Sequence, residues 1–241
     1  MSPLRGKKAF GLKLSLIIFG FLSVFAFSQH QEFKNDAERL DWIARTIFKP
    51  VYSYLAIQIK EDFNITRGVC VDIGGGTGNL AIELARITDL KIYSLDIDSE
   101  ATAIAKKNIE ASSLGGSVIA ITADAQSMPF PDNFADLVVS RASFIFWKDK
   151  IKGFKEAARI LKPGGVAFIG TGFGNRLPPS DRDRIQTILS EKDIGPPAEL
   201  LVGIEEVSSI LRKAGVHEFN ISSDDKCICG LWVEFRKRHP R

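Results

Sequence analysis

The chain has 241 residues, 45% of them apolar and 25% charged, which is enough for one sizeable core with additions. This composition excludes a disordered chain, a collagen and a multi-span membrane protein. Three cysteines exclude a disulfide scaffold, because one is always left over. The net charge of +3 sits at the ends, where Arg5, Lys7, Lys8, Lys13 and then Arg236, Lys237, Arg238, Arg241 flank a net acidic body. No basic face for nucleic acid is expected.

In chain order, residues 14–28 read LSLIIFGFLSVFAFS, with no charge, after a basic stretch. This is the n-region and h-region pattern of a signal peptide, and Ala26-Phe27-Ser28 resembles a cleavage site. Counted from Ala9, with Lys13 snorkelling, the run also suits a single anchor. Residues 1–31 are therefore expected to be a signal-like or membrane-anchor segment, or an upstream extension from a wrong start codon. Export, membrane association through residues 9–28, or a cytoplasmic protein would follow respectively.

Residues 32–241 read as one domain. Asn35 or Asp36 can cap a helix through AERLDWIARTIF, Pro50 breaks it, and VYSYLAIQIKEDF continues as a second helix. The stretches GVCVDI, LKIYSLDI, GSVIAITA, ADLVVS and GGVAFIGT read as buried strands. TGNLAIELARIT, SEATAIAKKNIEAS and KIKGFKEAARILK read as the helices between them. Such alternation predicts a parallel sheet covered on both faces. Pro163 is expected to stop the last of these helices, and Gly164-Gly165 to turn into the next strand. Residues 172–203 form an insertion expected over the sheet edge, with a helix from Ser180 to Glu191 capped by Ser180 or Asp181. The helix GIEEVSSILRKAG follows. HEFNISSD and CGLWVEFRK then make an antiparallel hairpin.

The most informative stretch is VDIGGGTGNLAIELA, residues 71–85. Gly74, Gly75, Gly76, Thr77 and Gly78 turn a strand into a helix, where backbone N–H groups suit a carboxylate or phosphate. The spacing departs from the dinucleotide fingerprint, since the third glycine position is Asn79. A P-loop is excluded because no Gly-Lys-Ser or Gly-Lys-Thr follows. Asp72 beside the loop would repel a pyrophosphate and suits a cation such as an α-amino group. Asp96 ends the second strand, where a carboxylate can accept both ribose hydroxyls. Asp98 is expected to cap the next helix. Asp124 ends the third strand and can accept from an exocyclic amine. Three acids at one sheet edge read jointly as a site for an amino-acid-bearing adenosine.

These residues resemble the class I S-adenosylmethionine-dependent methyltransferases, especially the small-molecule type that includes the ubiquinone/menaquinone-pathway enzymes. VDIGGGTGNLAIELA, LDIDSEA, ADAQSMPFPDNFADLVVSRASFIFW and EAARILKPGGVAFIG look like four of their motifs in order. One departure is Phe134-Ala135-Asp136, where the family usually sets its aromatic directly before the acid; the apolar N-terminus is a larger one. The resemblance implies a Rossmann-like, doubly wound α/β fold with N-terminal helices. Its seven-stranded sheet would run in the order 3-2-1-4-5-7-6, the last strand antiparallel. It also implies S-adenosylmethionine (SAM) as cofactor. Gly74, Gly76 and Gly78, with Gly75 and Thr77, would line the methionine part, Asp72 the amino group, Asp96 and Ile97 the ribose, and Asp124 and Ala125 the adenine. Ser140 and Arg141 would face the transferring methyl.

Methyl transfer from a sulfonium is an in-line displacement, so the protein mainly aligns the nucleophile and excludes water. His30, His217 and His239 lie outside the strand tips, so neither a histidine base nor a metal is expected. Tyr52, Tyr54, Arg141, Phe146 and Trp147 are acceptor-side candidates, each equally readable as packing. The acceptor is expected to be a small molecule, under a lid made of residues 32–66 and 172–203. Cys70 reads as a buried small hydrophobe, and Cys227 and Cys229 have neither metal nor redox spacing. Two rival functions are an NAD(P)-dependent oxidoreductase and a non-catalytic SAM-binding protein. A protein carried outside the cell would conflict with a donor made in the cytosol.

Overall fold

A computed structural model describes residues 32–192, 194–224 and 230–239. The apolar N-terminal run, His30 and the Cys227/Cys229 pair lie outside the described residues. Among the described residues no helix is long and apolar enough to cross a membrane.

Two helices open the fold. In α1 (Asp36–Thr46) the side chain of Asn35 accepts the N–H of Glu38 at 2.9 Å, and the Glu38 carboxylate accepts the N–H of Lys34 at 2.9 Å. The first bond satisfies a donor that the first turn leaves unpaired, and the second ties the Glu38 side chain to the residue before the cap. In α2 (Lys49–Phe63) Pro50 lies in the first turn, where a missing N–H costs nothing, and Asn64 closes the helix in the left-handed region. The break between the two helices is only Ile47 and Phe48.

The sheet has seven strands: β1 (Arg67–Ile73), β2 (Asp89–Asp96), β3 (Val118–Thr122), β4 (Ala135–Arg141), β5 (Leu161–Gly170), β6 (Phe219–Ser223) and β7 (Leu231–Arg236). They lie in the order β3-β2-β1-β4-β5-β7-β6. The first five are mutually parallel, and β7 runs antiparallel to both β5 and β6. The remaining helices are α3 (Asn79–Ile87), α4 (Ser99–Ala111), α5 (Lys150–Ile160), α6 (Pro179–Glu191) and α7 (Ile204–Lys213). Successive strand residues face opposite sides, so Val71 and Ile73 of β1 join a core with Phe154 of α5 and Leu211 of α7. Cys70 joins the other core, with Leu55 of α2, Leu84 of α3 and Ile109 of α4. Covering on both faces is why these strands read as continuous apolar runs.

Three local expectations change. First, α5 ends at Ile160 and β5 already starts at Leu161. Leu161 pairs with Ala135 and Val166 with Leu137, so the Lys162–Gly165 stretch is a bulge inside the strand edge rather than a turn before it. Second, neither Ser180 nor Asp181 caps α6. The helix starts at Pro179 behind Pro178 with no side-chain cap, because the proline already lacks one orphan N–H. Third, the 172–203 segment lies over the N-terminal helix pair rather than the sheet edge. Its Phe173, Leu177, Ile185 and Ile194 bury against Ile43, Ile47 and Val51 in a third apolar cluster. The displaced aromatic Phe134 stacks on Phe130 at 4.8 Å between ring centroids and packs on Tyr93. The next acid, Asp136, accepts the Val69 N–H at 2.7 Å and the Lys162 ammonium at 2.7 Å.

Candidate active site

Strand order reverses between β1 and β4, and a crevice opens at the carboxyl ends of the strands on either side of that point. A cavity of about 280 Å³ occupies it, walled by the tips of β1 to β4 and by α1.

Asp72, the penultimate residue of β1, points into the α3 side of the sheet and is almost wholly buried. Its Oδ2 has no hydrogen-bond partner. Burial, then the charge of Asp96, push its pKa up to about 7, against the pull of the Ala81 backbone N–H. A buried carboxylate oxygen left without a donor has a ligand-shaped deficit.

The glycine loop crosses directly above it. The N–H groups of Gly74 and Gly75 donate to the carbonyl of Leu95 on β2, at 2.7 and 3.0 Å. Gly74 has φ +66°, and a Cβ there would overlap Ser143. Gly76 has φ +55°, and a Cβ there would meet nothing, so its bare backbone faces open cavity. Gly78 precedes α3, and Thr77 accepts from Asn79 Nδ2 at 2.8 Å. The Thr77 carbonyl accepts from Asn108 Nδ2 at 3.0 Å, and the same amide reaches Asp41 Oδ1 at 2.8 Å. The loop is thereby tied to α4 and α1.

Asp96 closes β2. Its Oδ2 accepts the Gly76 N–H at 2.8 Å and its Oδ1 the Asp98 N–H at 2.9 Å. Burial raises its pKa while these backbone donors hold it back. Each oxygen keeps a lone pair toward the cavity. Ile97 follows at the cavity mouth and is half exposed. Asp98 caps α4 by accepting the Glu100 N–H at 2.8 Å. Beyond β3, Asp124 and Ala125 also line the cavity. Asp124 accepts from the Gln126 backbone N–H at 2.8 Å and from its Nε2 at 3.0 Å.

The β4 side divides the remaining candidates. Arg141, Tyr52, Phe146 and Trp147 reach the cavity. Ser140 and Tyr54 do not line it. Ser140 is buried and shares a 2.6 Å hydrogen bond with Ser143, whose hydroxyl donates to the Ile73 carbonyl at 2.9 Å. Tyr54 packs against the third apolar cluster. Ser143, Gln126 and Lys148 also border the cavity, as does Asn79, which the sequence marked only as a departure from the dinucleotide fingerprint. Their signal is only adjacency to strand tips. The Cys70 thiol is buried and held well above its usual pKa by that burial and by Asp72, so it is a poor nucleophile. Among the described residues no group of three or more His, Cys, Asp or Glu is placed to hold a metal ion.

A family model described as "Methyltransferase domain" matches residues 71–169. The mitochondrial arginine-hydroxylase NDUFAF5 of Rattus norvegicus is 29% identical over 194 residues, covering 77% of this chain and 54% of that protein. The ubiquinone/menaquinone biosynthesis C-methyltransferase UbiE of Geotalea daltonii is 29% identical over 140 residues, covering 57% of this chain and 60% of that enzyme. The chain thus spans little more than half the length of either. A crystal structure of an S-adenosyl-L-methionine-dependent methyltransferase assigned in Methanococcus maripaludis superposes with a TM-score of 0.77 at 33% identity. It covers 89% of this chain and 99% of that one.

Proposed function

The chain belongs to the class I S-adenosylmethionine-dependent methyltransferases, and from that premise we propose that it moves a methyl group from SAM to a small-molecule acceptor. The observation that carries this reading is the unpartnered Oδ2 of Asp72, buried under a glycine loop beside Asp96. The residues fit the cofactor. Asp72 would take the amino group, and the open backbone at Gly76, with its neighbours Gly74 to Gly78, the rest of the methionine part. The free lone pairs of Asp96 would take the ribose hydroxyls, with Ile97 against the sugar. Asp124 and Ala125 would border the adenine.

Bound SAM supplies an electrophilic methyl on a positively charged sulfur. The chain's own residues bind, orient and exclude water. Phe48, Phe146 and Trp147 make the acceptor end of the cavity largely apolar, which favours a desolvated nucleophile aligned for displacement. No histidine among the described residues lines the cavity.

Titration calorimetry of the full chain with SAM, with its demethylated product S-adenosylhomocysteine (SAH) and with NADH tests the cofactor. Binding of the first two and not the third is expected. Preference for NADH would point to an oxidoreductase, and SAM uptake without turnover over a broad acceptor panel to a binding protein.

We place the lid in residues 32–66 and 172–203, which share the apolar cluster of Ile43, Val51, Phe173 and Ile185; the first segment lines the cavity through Phe48 and Tyr52, and Gly172 of the second accepts from Arg141. Exchanging both segments together for those of a relative should change acceptor choice and leave SAM affinity within about threefold. Unchanged acceptor choice would remove the lid assignment.

A further inference from the structure

We propose that Arg141 is the anion-binding residue of the acceptor site, so that the acceptor is a small apolar molecule carrying a carboxylate or another oxyanion; this deepens the methyltransferase reading and rests on it. Arg141 ends β4 and lines the cavity. Its Nε donates to the Gly172 carbonyl at 3.0 Å and one terminal nitrogen to the Tyr52 hydroxyl at 3.3 Å. Its guanidinium lies 4.6 Å from the Phe48 ring centroid and 5.0 Å from that of Tyr52. Every one of these partners is neutral. Among the described residues no carboxylate pairs with it, although most other arginines of the fold have one. A permanent cation fixed on two aromatic faces in a half-buried cavity has its geometry satisfied and its charge uncompensated.

The backbone holds this placement. Ala142, the next residue, has φ +59°, a left-handed conformation that costs an alanine about 1 kcal/mol. Its N–H donates to the Gly170 carbonyl at 2.7 Å, and Ser143 bonds back to Ile73. The turn that orients Arg141 is thus locked from both sides.

Asp72, Asp96, Asp98 and Asp124 are the acids that line the cavity, and Arg141 and Lys148 are the cations that line it. The acids suit an amine and hydroxyls. Arg141, set among Phe48 and Tyr52, suits an anion on an apolar body and disfavours a cationic acceptor. It also disfavours the sulfonium until an anion intervenes, since like charges in a partly desolvated cavity repel. Donor and anionic acceptor should therefore bind with positive coupling.

The test uses the full chain and three arms. In the first, benzoate, phenylacetate and octanoate are titrated against their neutral amides, with SAH present. At least one anion should bind about tenfold tighter than its amide, and Arg141→Gln should erase the preference while Arg141→Lys keeps part of it. In the second, with no anion added, Arg141→Gln should tighten SAM severalfold and leave SAH unchanged, because only SAM carries the sulfonium charge. In the third, thermal melting reports whether each variant is folded. Equal weakening of SAM and SAH in Arg141→Gln would mean that Arg141 holds the cofactor's own carboxylate, and would overturn the proposal. So would the absence of any preference for anion over amide in the wild type. Lower melting in both variants with the anion preference intact would make Arg141 a strut and overturn it too. Failure of wild-type SAH binding would instead sink the methyltransferase reading, and repeating the anion titration without SAH separates that failure from loss of the anion preference.

Discussion

Replacing Asp96 by alanine should weaken SAM binding by about 10²–10⁴-fold, the largest single loss expected in this protein. Two hydrogen bonds from ribose hydroxyls to an ionised carboxylate contribute roughly 1.5–3 kcal/mol each. The carboxylate is preorganised for them. The Gly76 and Asp98 N–H groups fix its two oxygens at 2.8 and 2.9 Å, and little rotamer freedom remains to be lost on binding. The same contacts mean that alanine also releases the glycine loop. Asp96→Asn is therefore the informative companion, since its amide retains one acceptor for a backbone donor and loses the charge. Circular dichroism should show both variants folded, because the β2 pairings are backbone bonds. SAM affinity within threefold of wild type in Asp96→Ala would remove the adenosyl site from this edge of the sheet.

Asp72→Asn should do two opposite things: stabilise the free protein at pH 8 and weaken SAM by roughly 100-fold. The buried carboxyl has a pKa of about 7 against an ordinary 3.8. A folded-state value above the unfolded one means that its contribution to stability is complete below pH 4 and is lost as pH rises through 7. The wild type should accordingly melt lower at pH 8 than at pH 5.5 through this group, and Asp72→Asn should flatten that slope. Allowing for the cost of a buried neutral amide, the gain at pH 8 is on the order of 1–2 kcal/mol, or several degrees in melting temperature. Binding follows the reverse course. The charged form is the one that pairs with an ammonium, so SAM affinity of the wild type should rise between pH 6 and 7.5. It should fall again as the ligand's α-amino group loses its proton near pH 8. Below pH 7, SAM uptake should release a proton, readable by calorimetry in buffers of different ionisation enthalpy. A pH-independent affinity, or a destabilised Asp72→Asn at pH 8, would mean that the carboxyl is not held for a cation.

The two expectations pull on one design. Asp72 would be kept at the expense of free-protein stability, and a Cβ at Gly75 would overlap Ser94 and crowd the Asp72 carboxylate. Such a conflict between local stability and function is the usual mark of a binding site rather than of a core.

Much of this was written in the sequence because it depends on local rules. Short, continuous Val- and Ile-rich runs defined the strands, helical patterns between them defined their crossovers, and parallel pairing through crossovers then brings strand tips to one edge. Asp72, the glycine loop, Asp96 and Asp124 could thus be grouped before any coordinates, and the Asp98 cap could be assigned, whereas the first helix left Asn35 and Asp36 open and the fold uses Asn35. The strand order rested on the motif resemblance rather than on periodicity, and the sheet has that order. What a side chain at a strand tip touches is decided by neighbours far along the chain. Ser140 and Arg141 are adjacent in sequence, yet one is buried against Ser143 and the other stands among Phe48, Tyr52 and Gly172. Tyr52 and Tyr54 share a helix, but only the first reaches the cavity, because two residues along a helix turn a side chain to another face. The 172–203 segment found its place on the N-terminal helices because its apolar residues matched Ile43, Ile47 and Val51, a complementarity of surfaces that no one-dimensional pattern carries. Sequence determined which groups arrive at the sheet edge. Tertiary packing decided which of them are left without a partner, and that deficit is where ligand chemistry begins.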